Sequence, residues 1–204
     1  MVNIRKISLV LMIIIMLSGC NSFKSYNVYE KVYETYNNMN SYSAKVEVVS
    51  FSNNSENKYT LTQFFKMPHK QRSEFLSETA GNNITIINDG KGKIISEYAT
   101  NPVLLDSVDI EEKDYLMLNT FFDIYYSSEE TSVKTSGNET KGTITLSAET
   151  GSSAPHRKKM ELIIDTKTLI PKKMTVLNDK DKPTLEIKYL EFELNPELED
   201  KIFE

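Results

Sequence analysis

The stretch at residues 42–66 reads YSAKVEVVSFSNNSENKYTLTQFFK, and it decides the fold. Apolar and polar residues alternate through its first half, which is the period of a β-strand with one buried face. The alternation resumes after a polar turn at residues 53–55. We therefore predict a long antiparallel β-hairpin, whose second strand covers residues 58–66. The residues predicted to share its buried face are Tyr42, Ala44, Val46, Val48, Tyr59, Leu61 and Phe65.

Two other stretches have the period of an amphipathic helix. The first covers residues 24–39 and the second covers residues 113–126. In each of them, four apolar or aromatic residues follow the spacing i, i+3, i+4 and i+7, which places them on one helix face. These eight residues are candidates for lining a groove beneath the helices: Tyr29, Val32, Tyr33, Tyr36, Leu118, Phe121, Phe122 and Tyr125.

The remaining pattern is mostly that of strands. In the last strand the alternation through Ile187 and Tyr189 changes phase at Leu190, which predicts a β-bulge or a bend. About ten strands with two separate helices favour an α+β fold. We expect a strongly curved antiparallel sheet, a half-barrel, whose concave face is covered by the helices. No repeat or linker divides it, so residues 21–204 are predicted to form a single domain. Further strands are predicted at residues 70–77, 83–88, 93–98, 131–136, 142–148, 157–165, 172–178 and 183–194.

The first twenty residues have the features of an export signal. Arg5 and Lys6 precede an apolar run over residues 7–16, and the tetrapeptide LSGC then ends at Cys20. The apolar run is too short to span a bilayer as a permanent helix. The ending resembles the lipobox of bacterial lipoproteins, in which the cysteine receives a diacylglyceryl group and becomes the first residue after cleavage. The resemblance implies a signal peptide over residues 1–19 and an exported protein, lipid-anchored through Cys20 to the outer face of a cell membrane.

Composition excludes several classes of function. The formal net charge of −5 argues against a nucleic-acid partner, which requires a basic face. A single cysteine excludes an intrachain disulfide and a cysteine-rich zinc site. The two histidines, His69 and His156, belong to no H-E-x-x-H pattern and lie beside no recognisable nucleophile. The sequence therefore predicts that the protein is not an enzyme and that this chain holds no metal or cofactor.

A resemblance to a known family is carried by the C-terminal part of the chain. Residues 165–174 read DTKTLIPKKM, so that a strand ends in Asp and a turn leads to a strand that begins with Pro. This order resembles the LolA/LolB lipoprotein-carrier superfamily, and the early hairpin after a helix fits the same family. The resemblance implies a LolA-like open half-barrel closed by helices. Further matching positions are Asn178, Asp179, Tyr189, Phe192, Asn195, Pro196, Asp200 and Phe203.

The lipobox makes the chain most similar to the tethered members of that superfamily, the GerS-type germination lipoproteins of spore-forming bacteria. That resemblance implies a non-catalytic protein that binds and activates a CwlD-type, zinc-dependent N-acetylmuramoyl-L-alanine amidase. The amidase helps to make the muramic-δ-lactam of the spore cortex that germination requires. Zinc is then expected on the amidase, and the protein in the space between the forespore and mother-cell membranes.

No partner-contacting residue can be carried over from that family, so the partner interface stays unassigned. The unpaired edges of a half-barrel also favour a strand-swapped homodimer. Two other functions are open at this point. A lipid or lipoprotein carrier would hold acyl chains in the groove against Phe121, Phe122 and Tyr125, and a lipid-sensing domain would inhibit a signalling partner. A filled core would contradict the carrier.

Overall fold

The structure is a computed structural model that describes residues 20–52, 55–76, 84–88, 93–96, 115–138 and 140–204. The signal peptide predicted at residues 1–19 lies outside the described residues. The described part of the chain begins with helix α1 (Cys20–Asn37), and a second α-helix, α2, covers Leu118–Ser127. The strands are β1 (Ser41–Ser52), β2 (Ser55–Lys66), β3 (Lys70–Leu76), β4 (Ile84–Asn88), β5 (Lys93–Ser96), β6 (Thr131–Asn138), β7 (Lys141–Glu149), β8 (Lys159–Asp165), β9 (Pro171–Leu177) and β10 (Pro183–Leu194), and a 3₁₀-helix follows at Asp200–Phe203.

Strands β1 and β2 form the predicted hairpin. Their antiparallel register runs from Ser41 opposite Lys66 to Ser52 opposite Ser55, so β2 begins three residues earlier than predicted. The turn residues 53–54 lie outside the described part of the chain. Six of the seven residues predicted to share the inner face are buried, and Tyr59 is partly buried. The alternation of the sequence therefore identified the core-facing side of both strands.

The ten strands form one antiparallel sheet in the order β5-β4-β3-β2-β1-β10-β9-β8-β7-β6. Each half of the sheet is a meander, in which strands that are consecutive in the chain pair with each other. The two halves meet where β1 pairs with β10, so the first and last strands lie at the centre. The α+β architecture expected from the sequence is confirmed.

The predicted β-bulge lies in β10. Lys45 of β1 is opposite Glu191, whereas the next residue, Val46, is opposite Tyr189. Leu190 is therefore the extra residue, and its side chain is exposed. One added residue restores the inward direction of Phe192, which packs against the core.

Both helices pack on the same face of the sheet and form one hydrophobic core with it. The periodicity predicted that the second helix begins at residue 113, but α2 begins at Leu118. The backbone of Met117 is extended, and the N–H of Leu118 donates to the hydroxyl of Tyr42 at 3.0 Å. A side chain of β1 therefore satisfies one of the free N–H groups at the start of the helix, which a local pattern does not reveal.

The C-terminal segment covers the opposite face of the sheet. Leu198 and Phe203 are buried against Ile87 of β4, with Phe64 partly buried beside them. The guanidinium of Arg72 donates to the carbonyl of Ile202 at 2.7 Å. This segment shields apolar side chains that β2 and β4 present outside the main core.

Candidate functional site

Seven of the eight residues predicted to line a groove lie in the layer between the helices and the sheet. Val32, Leu118 and Phe121 are 0% exposed, and Tyr36, Phe122 and Tyr125 are also buried. Tyr29 is partly buried against the same core. Tyr33 differs, because 42% of its surface is exposed. Cys20, predicted to carry the lipid, is the first residue of α1.

Aromatic rings fill the space between the two helices. Tyr36 of α1 stacks on Phe122 of α2 with ring centroids 4.4 Å apart, and Phe121 stacks on Tyr125 at 5.8 Å. The Tyr36 hydroxyl donates to the carbonyl of Leu169 in the β8–β9 turn at 2.7 Å. Burial raises the pKa of Tyr36 well above its ordinary value. In this region the concave face is occupied by the protein's own side chains.

Buried polar side chains hold the segment that leads into α2. The side-chain N–H of Gln63 donates to the carbonyl of Leu116 at 2.9 Å. The hydroxyls of Tyr42 and Ser73 both contact the sulfur of Met117, at 3.7 and 3.5 Å. Burial raises the pKa of Tyr42. Sequence reasoning missed Gln63, although its place between Leu61 and Phe65 in the alternation was the signal that it points inward.

An open cavity of 1280 Å³ lies at one end of the core face, beside the tips of the β1–β2 and β9–β10 hairpins. Its apolar wall includes Tyr59 and Phe75, whose rings are 5.6 Å apart. Leu116, Val176 and Leu185 extend this wall. None of the eight residues predicted to line a groove is among the lining residues of this cavity. The open space therefore lies next to the predicted site and not within it.

Polar groups surround the mouth of the cavity. The guanidinium of Arg157 lies 5.0 Å from the ring centroid of Tyr115, a cation–π contact. The hydroxyl of Thr184 donates to the carbonyl of His156 at 2.8 Å, which joins the loop before β8 to β10. Glu56 and Lys182 also line the cavity. An apolar wall with a charged rim can accept an amphiphilic ligand.

The acidic and histidine side chains do not gather into a metal site in the described part of the chain, where no group of three or more His, Cys, Asp or Glu could hold an ion. His69 lies in the turn between β2 and β3, and His156 lies beside the cavity. Among the same described residues, neither helix combines the length and the hydrophobicity that a membrane span requires.

Strand β6 forms one edge of the sheet, and all eight of its residues are exposed. Its neighbour β7 has Ile144 and Leu146 fully buried, opposite Thr135 and Val133 of β6. The core therefore stops at β7. Among the described strands none pairs with the outer side of β6, so its backbone groups on that side can pair with another extended chain.

A sequence model of one protein family matches almost the whole chain. The family is described as sporulation protein YdcC-like, and the match covers residues 3–203. No curated protein matches the sequence.

Solved structures of several proteins are similar to this one. An uncharacterized conserved protein from Thermus thermophilus is 14% identical, with 87% of this chain and 91% of that chain covered and a TM-score of 0.53, which shows a shared fold. Another match is a chain in the structure of the CwlD amidase from Clostridioides difficile in complex with the GerS lipoprotein. It is 27% identical, with 82% of this chain and 94% of that chain covered and a TM-score of 0.47. The LolA superfamily protein NE2245 from Nitrosomonas europaea is 12% identical, with 89% of this chain and 97% of that chain covered and a TM-score of 0.46.

Proposed function

Because the chain belongs to the YdcC-like family of sporulation proteins, we propose that it is a membrane-tethered, non-catalytic lipoprotein that regulates cell-wall chemistry in the developing spore. It binds and activates a CwlD-type N-acetylmuramoyl-L-alanine amidase of the spore cortex. The modification of the cortex with muramic-δ-lactam, and hence germination, depends on this activation.

The family match over residues 3–203 is the observation that carries the proposal. The lipobox that ends at Cys20 supports attachment to a membrane, since a diacyl anchor with two chains provides stable binding. The resemblance of the sequence to the GerS-type lipoproteins supports the choice of an amidase as the partner. The free edge of β6 supports a strand-swapped homodimer as a further property of the same protein.

Activation of the amidase follows from thermodynamic linkage. If the lipoprotein binds the zinc-loaded amidase more tightly than the zinc-free amidase, zinc must tighten the protein complex by the same factor. The lipoprotein then raises the zinc occupancy of its partner without supplying a ligand of its own. It acts by stabilising one state of another protein and needs no catalytic group.

The experiment mixes residues 21–204 of this protein with the CwlD-type amidase of the same organism. Size exclusion with light scattering measures complex formation and subunit number, and elemental analysis of the same fractions measures zinc per amidase. We expect a stable complex with raised zinc occupancy. The matched control is the amidase alone in the same zinc-containing buffer. Separate peaks with unchanged zinc would contradict the proposal.

A second candidate function, lipid or lipoprotein carriage, is favoured by the open cavity of 1280 Å³. The rings of Phe121, Phe122 and Tyr125, which the sequence suggested for this role, are buried in the filled core. A carrier would instead hold an acyl chain against Phe75 and Leu185 in that cavity. Mass spectrometry of lipids extracted from the purified domain tests this function. A carrier would lose bound lipid in Leu185→Asp and keep it in Leu190→Asp, which alters an exposed residue outside the cavity. Absence of lipid from the wild-type protein would exclude it.

A further inference from the structure

Two tyrosines form an exposed aromatic pair on the outer side of the helices. Tyr33 of α1 and Tyr126 of α2 are 42% and 41% exposed. Their ring centroids are 5.4 Å apart, with the planes at 73°. They therefore make one continuous aromatic surface that joins the two helices, rather than two isolated residues.

Buried and partly buried rings contact this pair from beneath. Tyr33 contacts Tyr29 at 6.4 Å between centroids, and Tyr126 contacts Phe122 at 5.8 Å and Tyr125 at 5.9 Å. The hydroxyl of Tyr126 is neutral at physiological pH, as that of a tyrosine ordinarily is, and can donate a hydrogen bond. Partial burial raises its pKa further. Side chains that are fixed before binding lose little conformational entropy when a partner covers them.

Carboxylates flank the tyrosine pair. Glu30 precedes Tyr33 by three residues and Asp123 precedes Tyr126 by three residues, which places each carboxylate on the same helix face as its tyrosine. Residues 28–40 and 118–130 together contain five acidic side chains and one basic side chain. The acidic side chains are those of Glu30, Glu34, Asp123, Glu129 and Glu130, and the basic one is that of Lys31.

One carboxylate of this surface interacts with a side chain of a neighbouring element. Partial burial raises the pKa of the Asp123 carboxyl, and His69 in the β2–β3 turn opposes this with a smaller lowering effect. We call the surface made by these two tyrosines and two carboxylates, Tyr33, Tyr126, Glu30 and Asp123, the tyrosine surface. It joins aromatic rings to a negative rim.

We propose that the tyrosine surface is the docking site for a basic face of the amidase partner. This assignment rests on the proposed function and adds the interface to it. Tyrosine is enriched among the residues that dominate binding energy at protein interfaces. Lysine and arginine side chains pair with carboxylates and also stack over tyrosine rings. A negative rim around aromatic rings thus fits a partner face rich in those two residues.

The test compares amidase binding by the wild-type domain and three variants, using calorimetry at low and high salt. The double variant Tyr33→Ser/Tyr126→Ser should raise the dissociation constant by about 30-fold or more. Glu30→Lys changes only an exposed charge and should raise it by about 3- to 10-fold at low salt, with a smaller effect at about 0.5 M salt. Leu190→Ala, an exposed apolar residue on β10, is the matched control and should bind like the wild type.

The outcomes separate the interface from the proposed function. If the wild-type domain does not bind the amidase, both the proposed function and this interface are wrong. If the wild type binds and the double variant binds equally well, the interface alone is wrong. Thermal melts of all three variants, compared with the melt of the wild type, show whether each variant is folded. If the double tyrosine variant is unfolded, the binding of Glu30→Lys decides the test.

Discussion

The core face of the sheet has two regions, one filled and one open. Beneath the helices, stacked rings such as Tyr36 on Phe122, 4.4 Å apart, occupy the concave face. At the hairpin tips, Tyr59 and Phe75 line a cavity of 1280 Å³. Strand β2 contributes to both regions with one alternation, because Tyr59 lines the cavity and Leu61 and Phe65 are buried in the core. The comparison shows that alternation identifies the face that avoids water and does not identify what covers it.

The largest expected effect is in the filled region. Phe121→Ala removes a fully buried ring that contacts Phe122 and Tyr125. We expect it to lower the free energy of unfolding by about 3–5 kcal/mol, because the lost contacts leave a cavity that the helices and sheet cannot close. Urea denaturation followed by circular dichroism measures this loss. A loss below about 1 kcal/mol would mean that the space under the helices is not closely packed.

The contact that joins the filled region to the start of α2 should have an intermediate effect. Tyr42→Phe keeps the ring and deletes the hydroxyl that accepts the N–H of Leu118 at 3.0 Å. A buried N–H left without a partner costs about 1–3 kcal/mol. The matched control is Tyr59→Phe, at the edge of the cavity, which should change stability by less than about 0.5 kcal/mol. Equal effects in the two variants would show that the Tyr42 hydroxyl does not cap the helix.

The open region should tolerate truncation better. Phe75→Ala removes a partly buried ring whose face lines the cavity. Because part of this ring is already in contact with solvent, we expect a loss of about 1 kcal/mol, well below that of Phe121→Ala. The same urea titration measures both variants. Losses of equal size would mean that the cavity is filled and that the two regions do not differ.

The smallest effect should depend on pH and lie at the turn between β8 and β9, outside both regions. Lys172, 2.7 Å from the carboxylate of Asp165, and the N–H of Thr168 hold the pKa of Asp165 well below its usual range. A pKa that is lower in the folded state contributes stability above the unfolded value of about 3.9, and this contribution is lost as the pH falls towards the folded value.

The stability difference between the wild type and Asp165→Asn should therefore be constant near neutral pH and shrink below about pH 4. Thermal melts across that range measure it. Lys172→Ala should weaken the same dependence, because Lys172 is its largest single cause. A difference that does not change with pH would contradict the ion pair.

Much of the fold was predictable because its determinants are local. The hairpin of β1 and β2, the bulge at Leu190 and the inward face of both helices follow from the spacing of apolar residues over a few turns or strand residues. The start of α2 was predicted five residues too early, since periodicity continues into a segment where Met117 is extended. The signal peptide and the lipid on Cys20 stay predictions.

The candidate site was less predictable, because it depends on contacts between distant segments. Tyr33 satisfies the helical spacing of a core residue, yet it lies at the outer margin of the helix pair and contacts Tyr126. Gln63 is polar, yet it is fully buried because the carbonyl of Leu116 accepts its N–H group. For both side chains, a partner about 50 or more positions away in the sequence decides whether the side chain is buried or exposed.

The sequence by itself determined the sheet, its inward face, its bulge and the family to which the chain belongs. Only the tertiary structure decided that rings of α1 and α2 fill one part of the concave face and leave another open, and that Tyr33 and Tyr126 meet on the outside. The physical reason is that the preference of a side chain for burial depends on its own chemistry, which the sequence states residue by residue. What buries it depends on how segments far apart in the chain share the available volume at close-packed density.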